Sequence, residues 1–133
     1  RPHLLVDAGA TVDASPEWLA QFARMGRAYA RLRLDIDDPT VGLLSNGEEP
    51  GKGDALRKDT FALLEGESWF TGNAEGRDFM TGRPDVIVTD GFTGNVALKA
   101  MESALKAAAG LVFTVLGSSE EAKAAAAAKA YLN

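Results

Sequence analysis

Four short apolar runs divide the sequence, and each is followed by a polar loop that contains glycine. The runs are Leu4–Val6, Val41–Leu44, Trp69–Thr71 and Val86–Val88. An uninterrupted apolar run, unlike an alternating one, is typical of a strand that is covered on both faces, as in a parallel sheet. The pattern therefore predicts four strands of a mostly parallel sheet.

Helical patterns fill the intervals between these runs. Ser15-Pro16-Glu17 is a typical helix start, because serine caps a helix and proline suits its first turn. An apolar stripe at helical spacing follows, and we expect it to face the core: Trp18, Phe22, Met25, Tyr29 and Leu32. Further helices are expected over 54–64, 96–116 and the alanine-rich segment 120–132. The alternation predicts one α/β domain over residues 1–133, with a helical extension over 111–133.

The polar loops all follow strands, and the carboxyl ends of parallel strands meet at one edge of a sheet, where ligands bind. Turns favour glycine, asparagine and aspartate for their own reasons, so any one loop has a purely structural interpretation. Four such loops together favour a binding cleft. Its expected residues are Asp7, Asn46, Glu48, Asn73, Glu75, Arg77, Asp90, Thr93 and Asn95.

The segment DVIVTDGFTGNVALK, residues 85–99, carries the strongest signal. Gly91 and Gly94 let a ligand approach the backbone, and a helix from about Asn95 offers unpaired amides and a favourable dipole to an anion. We expect Asp90 to hold a loop, accept a hydrogen bond or position a proton. Lys99 supplies positive charge to the site or is a solvated lysine.

Composition and motifs exclude several chemistries. A chain of 133 residues without cysteine has no thiol nucleophile or thiolate metal site. Its one histidine, His3, lies near the start of the sequence, which argues against a histidine-based triad or zinc site. Residues 47–53 resemble a phosphate-binding P-loop only superficially, because the spacing is one residue short and acids occupy it. The net charge of −5 argues against nucleic-acid binding. We expect no cofactor and no metal.

Two surfaces suggest partners. Arg24, Arg27 and Arg31 form a basic stripe on the first helix, either a solvated face or a docking site for an acidic partner. Residues 105–116 are strongly apolar, which favours a dimer interface and leaves membrane contact as the alternative.

Four segments in order resemble the phosphate acyltransferase (PlsX) family of bacterial phospholipid synthesis. They are LLVDAGATVDASPEWLAQFARMG, VGLLSNGEEPGKGD, FTGNAEGRD and DVIVTDGFTGNVALK, and the likeness runs from about Leu4 to Lys106. It implies a three-layer α/β/α fold like that of isopropylmalate dehydrogenases and phosphotransacetylases. It also implies transfer of a fatty acyl group from acyl-acyl carrier protein to inorganic phosphate, giving acyl phosphate. A cytoplasmic homodimer, loosely attached to the inner face of the membrane, is implied as well.

Direct attack of phosphate on a thioester needs no enzyme nucleophile, which suits this composition. From residue type and position we expect Gly91, Thr93, Gly94 and Asn95 to cradle the anion, with Lys99 behind them. Asn73 and Arg77 are candidate donors to the carbonyl or phosphate. We expect Glu75, Asp78 and Asp90 to orient those donors, with Asp7 and Asn46 at the substrate.

Two alternatives stay open: a phosphotransacetylase-like enzyme that uses acyl-coenzyme A, and a non-catalytic module that binds a carrier protein or a membrane. Segments that open and close the family's sequences have no counterpart here, and a strand begins at Leu4. We therefore expect the sequence to be the middle of a longer enzyme, and inactive or incomplete on its own.

Overall fold

The computed structural model describes residues 3–118, and over this range it contains a four-stranded sheet in which every pairing is parallel. The strands are β1 Leu4–Val6, β2 Val41–Leu44, β3 Phe70–Ala74 and β4 Val86–Val88. Their order across the sheet is β1-β4-β2-β3. Strand β4 lies between β1 and β2, and all its residues are fully buried. This explains why Val86–Val88 is an uninterrupted apolar run. The predicted α/β fold with a parallel sheet is confirmed.

Three α-helices connect or follow the strands: α1 Pro16–Arg33, α2 Ala55–Leu64 and α3 Gly91–Ser118. Ser15 caps α1, since its Oγ accepts a hydrogen bond from the amide of Trp18 at 3.3 Å. A short 3₁₀ helix, Gly76–Met80, lies between β3 and β4. The starts expected for α1 and α2 are confirmed.

The helix α3 begins at Gly91, five residues before the predicted start at Val96. Asp90 explains the difference because it caps the helix directly after β4. Its Oδ1 accepts the amide of Thr93 at 2.8 Å, and its carbonyl accepts the amide of Gly94 at 2.9 Å. The glycines that were expected in a loop therefore lie in the first helical turn.

The apolar stripe predicted to face the core from α1 is mostly exposed. Trp18, Met25, Tyr29 and Leu32 are about half exposed or more, and only Phe22 packs partly against the core. The buried face consists of smaller residues: Leu19, Ala20, Ala23, Gly26 and Ala30.

Gly26 gives the reason for this reversal. A Cβ atom at Gly26 would lie 2.7 Å from Cγ1 of Val86 and 3.1 Å from Cγ1 of Val6. The helix thus approaches the sheet so closely that small side chains fill the contact, and the large ones are left outside.

Two layers cover the sheet. Helices α1 and α2 pack against each other and against the face to which Val41, Leu43, Val86 and Val88 contribute. On the other face, a Cβ at Gly42 would lie 2.7 Å from Pro84, so the segment after the 3₁₀ helix covers that side. This arrangement is consistent with a three-layer α/β/α fold.

Strand β3 begins at Phe70 and extends through Ala74, so residues 72–74, which were predicted to form a loop, belong to the sheet. The pairing with β2 shifts between Val41 and Leu43, after which Asn73 lies opposite Leu43. This irregularity lets the polar segment continue the parallel ladder.

The chain divides into two compact units, Arg1–Leu98 and Lys99–Asn133. The second unit continues α3 to Ser118, and its exposed apolar side chains include Leu105, Leu111, Phe113 and Val115. The predicted helix over 120–132 lies outside the described residues. Among the helices between residues 3 and 118, none is long and apolar enough to cross a membrane.

Replacing Gly94 with alanine should destabilise the protein, because the new Cβ would collide with the carbonyl oxygen of Asp7, which is backbone and cannot rotate away. We expect a loss of about 3 kcal/mol in the free energy of unfolding. Gly110→Ala is the matched control on the same helix. Among residues 3–118, no atom other than those of the adjacent helix backbone lies within 4 Å of its Cβ position, and the change should stabilise by about 0.5–1 kcal/mol. Urea unfolding measures both, and equal stability of Gly94→Ala and wild type would contradict the observed packing.

Candidate functional site

A cleft of about 560 Å³ opens at the carboxyl end of the sheet. Its walls come from the end of β2, the amino end of α2 and the first turn of α3. The lining residues are Leu44, Ser45, Asn46, Gly53, Asp54, Arg57 and Thr93. Two of the residues expected at the site from the sequence, Asn46 and Thr93, are among them.

The amino end of α2 forms one wall of the cleft. Asp54 caps the helix, since its Oδ1 accepts the amide of Arg57 at 2.9 Å. The amides of the first turn have no acceptor within the helix, and the helix dipole adds positive potential there. This wall therefore combines the positive end of the helix dipole with the exposed carboxylate of Asp54.

Gly53 allows the loop before α2 to pass close to Ser45 and Arg57. Its φ is +95°, and a Cβ there would lie 2.5 Å from Cβ of Arg57 and 3.0 Å from Oγ of Ser45. Its amide donates to Oδ1 of Asn46 at 2.8 Å, which closes the loop on itself. The Oγ of Ser45 is buried and has no hydrogen-bond partner.

Arg57 is the most connected side chain of the cleft. One terminal nitrogen bonds Oδ2 of Asp54 at 3.0 Å. The other donates to Thr89 Oγ1 at 3.0 Å, to Thr93 Oγ1 at 3.1 Å and to the buried carboxylate of Asp90. Only 9% of Arg57 is exposed. A single guanidinium therefore joins the amino ends of α2 and α3.

Asp90 is held in its ionised form. Burial alone would raise its pKa, but hydrogen bonds from the amide and hydroxyl of Thr93, together with the hydrogen bond and charge of Arg57, outweigh burial. The pKa of Asp90 therefore lies below the usual value of an aspartate. Asp90 holds the start of α3, as expected from the sequence.

The amides at the start of α3 are occupied within the protein. The amide of Gly91 donates to Oγ1 of Thr11 at 3.0 Å, and those of Thr93 and Gly94 donate to Asp90. A Cβ at Gly91 or Gly94 would collide with the loop over 7–11. The expectation that these glycines leave room for a ligand is therefore corrected: they admit the loop that follows β1.

Asp7 organises that loop. Its carboxylate accepts the amides of Ala10 at 3.1 Å and Thr11 at 2.8 Å, and the hydroxyl of Thr11 at 2.9 Å. Burial acts to raise the pKa of Asp7, but these hydrogen bonds outweigh it and lower the pKa. Asn95 lies beside Gly9 of the same loop. Neither Asp7 nor Asn95 lines the cleft.

Asn73 and Arg77 hold the loop between β2 and α2. Asn73 donates from Nδ2 to the carbonyl of Glu49 at 2.8 Å. Arg77 pairs with Glu48 at 2.5 Å and with Glu75 at 2.9 Å, and Glu48 chiefly raises its pKa. Asn73 and Arg77 stand beside the loop rather than in the cleft wall.

The remaining predicted cations are Lys99 and the three arginines of the α1 stripe. Lys99 belongs to the second unit, where its Nζ lies 3.4 Å from Glu102. On α1, Arg24 pairs with Glu67 at 3.1 Å, and Arg27 pairs with Asp38 at 2.6 Å and stacks over Trp69. Within residues 3–118, Arg31 is the member of the stripe that forms no ion pair.

The fatty acid synthesis protein family has a sequence model that matches residues 1–131. The chain belongs to this family. Its relatives include the phosphate acyltransferases of Helicobacter hepaticus, 52% identical over 80% of this chain, and Syntrophomonas wolfei, 54% identical over 74%. The phosphate acyltransferase of Thermobifida fusca is 48% identical over 92% of this chain. The resemblance inferred from the sequence is confirmed.

The matches cover 32%, 32% and 35% of these three relatives, so the chain spans about a third of their length. The name of a relative describes the activity of a polypeptide about two and a half times as long. The family membership shows that this α/β unit is homologous to part of those enzymes.

Sequence reasoning did not identify Arg57, Asp54 or Ser45. Arg57 lies between apolar and charged helix residues, and nothing in its spacing indicates that it is buried. A signal was present for Asp54, because an aspartate followed by a helical pattern is a common cap. The partnership of Arg57 with Asp90, 33 residues away, becomes visible only in the fold.

The lowered pKa of Asp90 predicts a specific pH dependence of stability. A carboxyl group whose pKa is lower in the folded than in the unfolded state stabilises above the unfolded pKa, and this stability is lost as the pH falls, from roughly pH 5 downward. Asp90→Asn should cost about 3 kcal/mol at neutral pH, and the difference from wild type should shrink in acid.

Urea unfolding at a series of pH values measures this effect. Asp59→Asn, which removes an exposed carboxylate from α2, is the control for the loss of one negative charge. A stability difference between wild type and Asp90→Asn that stays constant down to low pH would contradict the assigned role of the ionised carboxylate.

Proposed function

We propose that this chain forms part of the site at which a phosphate acyltransferase moves a fatty acyl group from acyl-acyl carrier protein to inorganic phosphate. The product is an acyl phosphate for phospholipid synthesis. Family membership and relatives named phosphate acyltransferase support the proposal. The observation that carries it is the cleft at the carboxyl end of the sheet, where polar side chains that follow β2 meet the amino ends of α2 and α3.

The donor set suits two anionic species. The cleft is lined by Ser45, Asn46 and Thr93 and by the amino end of α2. Helix amino ends bind phosphate, and preorganised donors stabilise the oxyanion that develops during acyl transfer. The same cleft can therefore hold the phosphate and stabilise the tetrahedral intermediate.

The reaction needs no covalent enzyme intermediate. An oxygen of phosphate attacks the thioester carbonyl carbon, and the carbonyl oxygen becomes an oxyanion. The carbon–sulfur bond then breaks, the thiolate of the carrier leaves and takes a proton from solvent, and the acyl phosphate remains. The protein contributes alignment of the two substrates and charge stabilisation, in keeping with a sequence that lacks cysteine.

We assign contact with the substrates to Asn46 and Thr93, which line the cleft. Asn73, Arg77 and Glu75 then act indirectly, since they hold the loop that carries Asn46. Gly91, Gly94, Asn95 and Asp7 build the junction between the first loop and α3.

Acyl phosphate formation from inorganic phosphate tests the proposal, with acyl-carrier protein and acyl-coenzyme A compared as donors. The carrier thioester should be the better substrate. Thr93→Val should lower kcat/KM at least about tenfold, because it removes the hydroxyl that contacts Arg57 and Asp90 at the cleft wall and so loosens the placement of the two helix starts. Thr114→Val, on the second unit, is the control and should retain activity.

The assay separates the candidate functions. Product formed from the coenzyme A thioester alone would favour a phosphotransacetylase-like enzyme. No acyl phosphate from either donor with the complete polypeptide would overturn the proposed transfer reaction.

The carrier protein is proposed to dock on α1. Arg24 and Arg27 are engaged with Glu67 and Asp38, so the attraction for an acidic partner falls mainly on Arg31. Tyr29 and Leu32 expose apolar surface on the same helix, which gives the docking face both charge and contact area.

Arg31→Glu should weaken carrier binding about tenfold at low salt, and the effect should fade as salt screens the charges. Lys58→Glu makes the same charge change on α2 and should leave binding unaltered. Fluorescence anisotropy of a labelled carrier protein measures both affinities. Equal losses in the two variants would indicate a general charge effect and contradict docking on α1.

The exposed apolar side chains of the second unit support a homodimer contact. Leu111, Val112, Phe113 and Val115 are each more than half exposed. Exposed apolar surface of this kind marks an interaction site, and peripheral contact with a membrane is the alternative occupant.

A further inference from the structure

Arg57 would be the obvious ligand for an anion in the cleft, but its contacts argue for a different role. Its two terminal nitrogens already meet Asp54, Asp90 and two threonine hydroxyls. Rotating toward a substrate would leave the carboxylate of Asp90, which is 4% exposed, without its counter-ion. An unpaired buried charge is strongly destabilising.

We propose that Arg57 is the counter-ion that allows an anion to enter the cleft, and not a ligand of that anion. The two carboxylates that it contacts carry two negative charges, and Arg57 cancels one of them. Without Arg57, a phosphate would approach an uncompensated carboxylate directly behind Thr93. This inference rests on the proposed function.

Arg57 also positions the walls of the cleft. It links the cap of α2, Asp54, to the cap of α3, Asp90, and it contacts Thr93, which lines the cleft. A lysine cannot reproduce this, because it lacks the planar fork that reaches several acceptors at once. Arg57 is therefore a positioning residue whose charge and shape both matter.

The charge argument predicts an unusual pattern of phosphate affinity. Arg57→Met should weaken binding of inorganic phosphate at least about tenfold, because it exposes the anion to Asp90. Adding Asp90→Asn should restore most of the affinity, since asparagine still caps α3 but carries no charge. If Arg57 served only to hold the structure, removing the carboxylate of Asp90 as well would not restore the affinity for phosphate.

Isothermal titration calorimetry of the complete polypeptide with inorganic phosphate measures these affinities. Mildly alkaline pH is suitable, because carboxylates are then fully ionised. Lys58→Met, an exposed neighbour on α2, is the control and should bind like wild type. Circular dichroism establishes that each variant is folded before titration.

Recovery of affinity in Arg57→Met/Asp90→Asn supports the proposal. A double variant that binds as weakly as Arg57→Met would overturn it and make Arg57 a direct ligand, and wild-type affinity in Arg57→Met would overturn it as well. Should Arg57→Met not fold, the double variant decides alone, because replacing both members of a buried pair is tolerated better than replacing one. Absence of phosphate binding by the wild type would instead overturn the proposed function.

Discussion

The ion pair between Arg57 and Asp90 fixes the geometry on which the cleft depends. Asp90 follows β4 directly, caps α3 with one carboxylate oxygen and accepts Arg57 with the other. Arg57 in turn lies in the first turn of α2, whose cap it also contacts. A buried pair of this kind contributes little net stability, but any arrangement that separates its members leaves an unpaired buried charge and is strongly destabilised. The relative placement of the two helix starts is therefore specified.

Close backbone approach is the second constraint on the same region. Gly91 and Gly94 face the loop after β1, and Gly26 brings α1 against Val86 and Val6. Glycines that looked like space for a ligand thus serve the packing of one element on another. The cleft lies one strand further along, beside Ser45, Gly53 and Arg57.

The strands and caps could be predicted because their causes are local. An apolar run identifies a covered strand, and Ser15 or Asp54 before a helical pattern identifies a helix start. The orientation of α1 could not be predicted, because the exposed stripe and the buried face are both apolar. The short distance between α1 and the sheet, which cannot be read from the sequence, requires the face with Gly26 to be the buried one.

The candidate site was predictable in location and only partly in detail. The rule that ligands bind at the carboxyl ends of parallel strands placed Asn46 and Thr93 correctly at one edge. The sequence did not identify Arg57 as a site residue, because a helical arginine is ordinarily solvated. The burial of Arg57 depends on the carboxylate of Asp90, 33 residues away. Long-range electrostatic partners leave no periodic signal in a single sequence.

Strand order explains why only some of the polar loops line the cleft. In the order β1-β4-β2-β3, the chain leaves β2 toward the outer strand β3 and returns to β4 on the other side of β2. Because β2 and β4 are neighbours, the amino ends of α2 and α3 meet at the carboxyl edge of the sheet, where the cleft lies. Asp7 follows the outer strand β1 and Asn73 lies within the outer strand β3, and neither lines the cleft. A topology with β4 at the edge would have separated Thr93 from Asn46 and left Arg57 without its partner.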